Sequence, residues 1–268
     1  MIQFDNVTRA YGSKLAVSSL NLEIPGGELF ALLGPNGAGK TTTIKMLVGL
    51  LRPSSGHIRL CGYDVVQDNQ RASRLLGYVP DVPYLYDKLT GREFLEFIAD
   101  MYGLDPEQSI RQLVRCIADF ELTDFVDELT ETYSHGMRQR LTFAAALLHE
   151  PSVLVIDEPM VGLDPRSARV VKDLLQAKAR DGMTIFMSTH LLSVAEEIAH
   201  RVAIVDQGRL RFLGTVDQLR QELPLTHRSL EQLYLNLTAN PGEIRDSAGP
   251  HEPMDRSDPV TPARFGDS

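Results

Sequence analysis

Two stretches of this sequence gather residue types that handle phosphate and water. Gly34-Pro35-Asn36-Gly37-Ala38-Gly39-Lys40-Thr41 fits the pattern G-x-x-x-x-G-K-[ST] without a mismatch, and Thr42 follows it. Glycines at these spacings let successive backbone N–H groups turn toward one anion, and a helix starting there adds positive potential at the same point. Lys40 can then reach the β- and γ-phosphates of a nucleotide, and the Thr41 hydroxyl can hold Mg²⁺. The second stretch is Val153-Leu154-Val155-Ile156-Asp157-Glu158. Asp157 can complete the Mg²⁺ shell, and Glu158, one residue on, can polarise an attacking water. Taken alone, the first stretch also reads as a glycine-rich turn and the second as two acids opening an exposed loop. Together they predict a chain that binds a nucleoside triphosphate and can hydrolyse it.

The surrounding elements decide between those readings. Leu29-Phe30-Ala31-Leu32-Leu33 is an unbroken apolar run within Glu28–Leu33, a buried strand ahead of the glycine loop. Behind the loop, Ile44, Leu47, Val48 and Leu51 recur at helical spacing and predict a helix over Thr42–Leu51. Strand, glycine loop and helix is the context the motif requires. The run Val153–Asp157 reads as a central strand, whose C-terminal end is where ligands bind in α/β sheets.

Elsewhere, strands are expected over Ile2–Val7, Ser19–Ile24, His57–Leu60 and Leu76–Val79, with a polar turn at Gly12-Ser13-Lys14. Between Gly91 and Glu150 the pattern is helical, including a helix over Gly136–His149 for which Ser134 is a good N-cap. Alternation resumes with Ser167–Arg180, Thr184–Ser188, Leu191–His200 and Val202–Asp206. It predicts a largely parallel sheet with helices on its faces. Ser229–Leu237 carries Leu230, Leu233, Tyr234 and Leu237 at helical spacing, whereas Ala239–Ser268 holds five of the fifteen prolines and reads as a disordered tail.

With 268 residues and 43% hydrophobic content, the chain can build a large core. A net charge of −9 argues against a general nucleic-acid surface. Cys61 and Cys116 stand apart, without metal-ligand spacing, and predict reduced thiols. No apolar run approaches the roughly 20 residues of a membrane helix, nor do the first thirty residues carry a signal-peptide core. The expectation is a cytosolic protein, peripheral if it works at a membrane.

From Ile2 to about Thr215 the sequence resembles the nucleotide-binding subunit of an ATP-binding cassette (ABC) transporter. Besides the two stretches above, Tyr11 matches the aromatic that stacks on adenine, and Tyr133-Ser134-His135-Gly136-Met137 the family signature LSGGQ. Met160-Val161-Gly162-Leu163-Asp164 matches the D-loop, and His190, after Ser188-Thr189, the switch histidine that contacts the γ-phosphate. On its own Tyr11 also reads as a loop tyrosine, and His190 as an ordinary residue at a helix start. The resemblance implies an α/β P-loop NTPase fold of the ABC ATPase type, with a mainly parallel core, an antiparallel β subdomain and a helical insert near residues 91–150. The cassette would span residues 1–238.

The resemblance also implies ATP and Mg²⁺, with the metal held by Thr41, Asp157 and Asp81. Asp81, in Tyr78-Val79-Pro80-Asp81, stands where the family usually has glutamine, and His135 and Met137 replace the signature's second glycine and its glutamine. A carboxylate at 81 can still order a metal-bound water, and the anion-binding parts, Ser134 and Gly136, are kept. Both departures resemble a bacterial branch paired with small exporter-type permeases. The implied cycle closes two cassettes, identical or paired, head-to-tail on ATP, and reopens them after hydrolysis at Glu158 to drive a membrane-embedded permease from its cytoplasmic face. Val82-Pro83-Tyr84-Leu85-Tyr86 would receive a permease helix by analogy, or else pack as ordinary core. A soluble ABC ATPase acting on nucleic acid would carry a coiled-coil insertion or a second cassette, and a regulatory subunit would lack Glu158 or His190.

Overall fold

A computed structural model describes residues 1–221 apart from Gly162 and Asp164. The helix expected over Ser229–Leu237, the tail Ala239–Ser268 and part of the D-loop therefore lie outside the described residues.

Among the described residues, ten strands form two sheets. The smaller is antiparallel, in the order β2 (Lys14–Ile24), β1 (Ile2–Tyr11), β4 (Ser55–Leu60), β5 (Tyr63–Asp64). The larger runs β10 (Arg209–Gly214), β9 (Arg201–Asp206), β3 (Leu29–Leu33), β8 (Thr184–Thr189), β7 (Val153–Asp157), β6 (Leu76–Val79). All its pairings are parallel except that of edge strand β10 with β9. Every residue of β3, β7 and β8 is buried, as expected of parallel strands covered on both faces. One face packs against the small sheet and α1 (Lys40–Leu47) through Phe30, Leu32, Phe186, Val155 and Ile44. The other carries the remaining core, including Leu29, Leu154, Phe143 and Leu175.

The segment from 91 to 150 holds α3 (Gly91–Tyr102), α4 (Pro106–Asp119) and α5 (His135–Leu147). Each begins with a side-chain cap: Thr90 in a capping box, Asp105 on Gln108 N, and Ser134 on Met137 N. α2 (Asn69–Arg74) precedes β6, while α6 (Pro165–Arg180), α7 (Leu192–Ile198) and α8 (Val216–Gln221) follow β7, β8 and β10. No helix among the described residues is long and apolar enough to cross a membrane.

Several boundaries differ from expectation. α1 begins at Lys40 and stops at Leu47, four residues short of Leu51, because Gly49 at φ +76° takes the left-handed turn that ends helices. β1 and β2 are longer than expected, so Tyr11 is the last residue of a strand, paired with Lys14.

Candidate active site

Parallel register brings the chemistry to one edge of the large sheet. Leu33 pairs with Thr189, Asp157 with Ser188, and Val79 with Ile156. The chain therefore leaves β3 into the glycine loop, β7 into Glu158, β8 into His190 and β6 into Asp81, all at the same edge.

The glycine loop turns into α1 at Gly39, where φ is +109° and an added Cβ would lie 2.3 Å from the Ala16 carbonyl. Only glycine accepts both constraints. A cavity of about 440 Å³ opens there, lined by Tyr11, Lys14, Ala16, Pro35, Asn36, Gly37, Gly39, Lys40, Thr41, Thr42, Asp81 and Glu158. Gly34 and Ala38 are buried beneath it. That volume is of the size small-molecule sites take.

Lys40 is buried at 6% exposure, and its ammonium donates to the Gly34 carbonyl at 2.7 Å. It also lies 3.4 Å from Glu158 Oε1. The other oxygen of Glu158 stands 2.9 Å from His190 Nδ1, and the His190 backbone N–H donates to it as well. Glu158 thus bridges the glycine-loop lysine and His190. Its backbone sits at φ +51°, a strained conformation for a non-glycine residue and one that recurs at functional sites. The Glu158 N–H is held by the Ser188 hydroxyl at 3.1 Å.

Asp157 is buried at 2% exposure, and burial raises its carboxyl above the ordinary value. Hydrogen bonds from the Ser188 and Thr41 hydroxyls oppose that rise, while the charges of Asp81 and Glu158 add to it. The Tyr78 phenol on β6 is pushed up to about 12, by burial first and then by Asp157 and Asp81. The acidic end of the site therefore carries negative potential suited to a cation. Nothing in the sequence marks Ser188 as a site residue. It holds both Asp157 and the Glu158 backbone, which only the register of β7 and β8 reveals.

Tyr11 is half exposed at the rim, with the Arg9 guanidinium 4.7 Å from its ring centroid. Ser134 and Gly136 do not line this cavity. They open α5 in the helical segment, where Ser134 Oγ accepts from Met137 N at 3.3 Å. His135 Nε2 lies 3.4 Å from the Val161 carbonyl, so the signature residues and the segment after β7 touch.

The chain is similar to known proteins over most of its length. The ABC transporter family model matches residues 17–161. The linearmycin resistance ATP-binding protein LnrL of Bacillus subtilis (strain 168) is 37% identical over 223 residues, covering 83% of this chain and 72% of that protein. A solved ATP-binding subunit of an ABC transporter superposes with a TM-score of 0.82 at 32% identity, covering 88% of this chain and 99% of that one. The dimeric post-hydrolysis cassette MJ0796, bound to ADP and Pi, gives 0.74 at 26% identity, covering 81% and 99%. With a nucleotide-sized cavity at its glycine loop and the family's pattern across most of its length, this chain belongs to the ABC transporter family, as an ATP-binding and ATP-hydrolysing subunit.

Proposed function

We infer that this subunit powers export through a separate membrane permease, by closing with a second cassette over two ATP molecules and reopening after hydrolysis. The observation that carries this reading is the division of the phosphate-handling residues. Lys40, Thr41, Asp157, Glu158 and His190 converge at one sheet edge, whereas exposed Ser134 and half-buried Gly136 stand at the start of α5 and outside that cavity. A helix start with unpaired N–H groups is an anion site, and this one is free to meet a nucleotide carried by a second copy.

On this reading Tyr11 stacks on adenine, the backbone from Gly34 to Thr42 cradles the phosphates, and Lys40 exchanges its carbonyl partners for β- and γ-phosphate oxygens. Glu158 accepts a proton from the attacking water, and His190, already paired with it, senses the γ-phosphate. Among the described residues no group of three or more His, Cys, Asp or Glu could hold a metal. One buried carboxylate with a neighbouring hydroxyl instead fits Mg²⁺, which takes few protein ligands and completes its shell with water and phosphate oxygens. Asp157 and Thr41 would hold it, with Asp81 through a water, and the bound ion would neutralise charge on the phosphates.

The permease contact falls on Val82, Tyr84 and Tyr86, 75%, 82% and 49% exposed, beside the α3 residues Phe97 and Met101. Tyr86 packs edge-on against Phe97, so the patch is an ordered apolar surface at the helical segment. Leu85, between them, is buried and anchors it. Docking there places the protein at the cytoplasmic face of a membrane. Export is favoured by the resistance role in the name of the Bacillus relative. The cassette is taken to span residues 1–238 and residues 239–268 to lie outside it.

The test is the oligomeric state of Glu158→Gln with ATP and Mg²⁺, measured by sedimentation. The variant is expected to accumulate as a dimer that ADP does not support. A monomer under both nucleotides would contradict the closing cycle.

A further inference from the structure

We propose that Tyr133 is a positioning residue of the two-cassette nucleotide site: its buried hydroxyl, bonded to the Phe125 carbonyl, fixes where Ser134 and the start of α5 stand. The proposal rests on the composite-site reading above.

Tyr133 links the short 3₁₀ turn Thr130–Thr132 to α5 with an extended backbone, φ −72° and ψ 136°. Its ring is 6% exposed and meets Phe125 edge-on, with centroids 4.9 Å apart and planes at 90°. Its hydroxyl donates to the Phe125 carbonyl at 2.7 Å. The segment that supplies this carbonyl is itself held from two sides. Arg140 of α5 donates to the Glu121 carbonyl at 3.0 Å and lays its guanidinium 4.8 Å from the Phe125 ring centroid. From the start of α3, Arg92 N donates to the Val126 carbonyl at 2.8 Å. The hydroxyl closes a loop of contacts joining α3, residues 121–126 and α5 immediately ahead of Ser134.

Space has been made for that hydroxyl. A Cβ at Gly91 would lie 2.4 Å from Tyr133 Oη, with the next nearest atom, the Val126 carbonyl oxygen, at 3.1 Å. Burial, the largest cause, pushes the Tyr133 phenol up to about 12, so it remains a donor at any pH below that. Ser134 follows directly, and its own side chain is committed to capping α5. The placement of its N–H and of the helix start is thus inherited from how Tyr133 is anchored. Phenylalanine at 133 would keep the ring contacts and remove one of the two donors to the Phe125 carbonyl, the other being Glu128 N at 3.0 Å.

A double-mutant cycle in the full chain tests this, with Tyr133→Phe, Gly91→Ala and both together, and Ser134→Ala as reference. Three quantities are read: affinity of the single chain for a fluorescent ATP analogue, thermal midpoint, and the protein concentration for half-dimerisation with ATP in the Glu158→Gln background. Tyr133→Phe is expected to leave single-chain affinity within about twofold and to raise the dimerisation concentration about three- to tenfold, the scale of one lost buried hydrogen bond. Gly91→Ala should do likewise where the hydroxyl is present and cost less where it is gone, because the closest atom its methyl meets is that hydroxyl and only the looser Val126 carbonyl and ring contacts remain. A Tyr133→Phe chain with a lower thermal midpoint but an unchanged dimerisation concentration would overturn the proposal, since the hydroxyl would then only stabilise the fold. Additive penalties would overturn it too. Should Ser134→Ala also leave dimerisation unchanged, the composite-site reading fails and the proposal with it, an outcome distinct from failure of Tyr133 alone.

Discussion

The two regions of this chain proposed to handle phosphate are built on opposite principles. The glycine-loop region is assembled by the sheet: four parallel strands end at one edge, and their buried side chains leave its groups little freedom. Lys40, Glu158 and His190 already touch there within a single chain. The signature region is the start of one helix, held by the Ser134 cap and the Tyr133 hydroxyl and exposed at its tip. One region gathers its groups within a single chain around buried Lys40 and Asp157; the other leaves the start of a helix facing outward. Two such regions in one chain, apart from each other, are what the proposed closing of two cassettes would use.

The sharpest way to break this contrast is at Glu158. With Glu158 as general base, Glu158→Gln lowers ATP turnover by about 10²–10⁴ while ATP still binds, the usual size of a lost general base. Turnover close to wild type, measured by phosphate release, would remove Glu158 from the chemistry and leave the buried region a binding site only.

A smaller effect is expected at the rim. Base–aromatic stacking is worth roughly 1–3 kcal/mol, so Tyr11→Ala should weaken ATP binding by about one to two orders of magnitude. Tyr11→Phe should bind nearly as well as wild type, since the ring and its contact with Arg9 are kept. Equal affinities for the alanine and phenylalanine variants, by calorimetry, would reduce Tyr11 to the end of a strand.

The smallest effect concerns the framework under the signature helix. His149, just past α5, stacks on Tyr102 with ring centroids 3.6 Å apart, and its Nε2 lies 3.1 Å from the Leu76 carbonyl. Burial lowers its pKa from 6.5 to about 4. The unfolded chain therefore binds a proton between pH 6.5 and 4 that the folded chain refuses. This part of the stability is fully present above pH 6.5 and is lost as pH falls toward 4, on the order of 3 kcal/mol. His149→Gln should flatten the thermal midpoint against pH across that window relative to wild type. Parallel curves would show that His149 titrates normally.

How much can be read from the residues divides along the same line. The glycine loop and the two strand ends that carry Asp157 and His190 are legible because an apolar run and a local motif sit side by side in sequence. Ser188 is not, because its contacts with Asp157 and Glu158 exist only once β7 and β8 pair in register. β10 leaves little trace in the sequence because Arg209–Gly214 is a short edge strand with charges on its exposed face. Its hairpin with β9 turns on Gln207 and Gly208, both at positive φ, a signal weaker than Asn-Gly. α2, Asn69–Arg74, buries only Ala72 and so shows no apolar period. Tyr133 reads in sequence as one letter of a motif, and its anchorage needs Phe125 and Gly91, eight and forty-two positions away.

The central claim, that the working site is shared between two chains, is tested most directly by mixing two defective variants. Lys40→Ala disables the glycine loop and Ser134→Ala the signature, and each alone should hydrolyse ATP poorly. In a mixed dimer the intact loop of one chain meets the intact signature of the other, and one complete site is restored. The account predicts that the mixture recovers ATPase activity that neither variant has, rising with the chance of mixed pairing. Activity that stays at the sum of the two separate variants at every mixing ratio would contradict it.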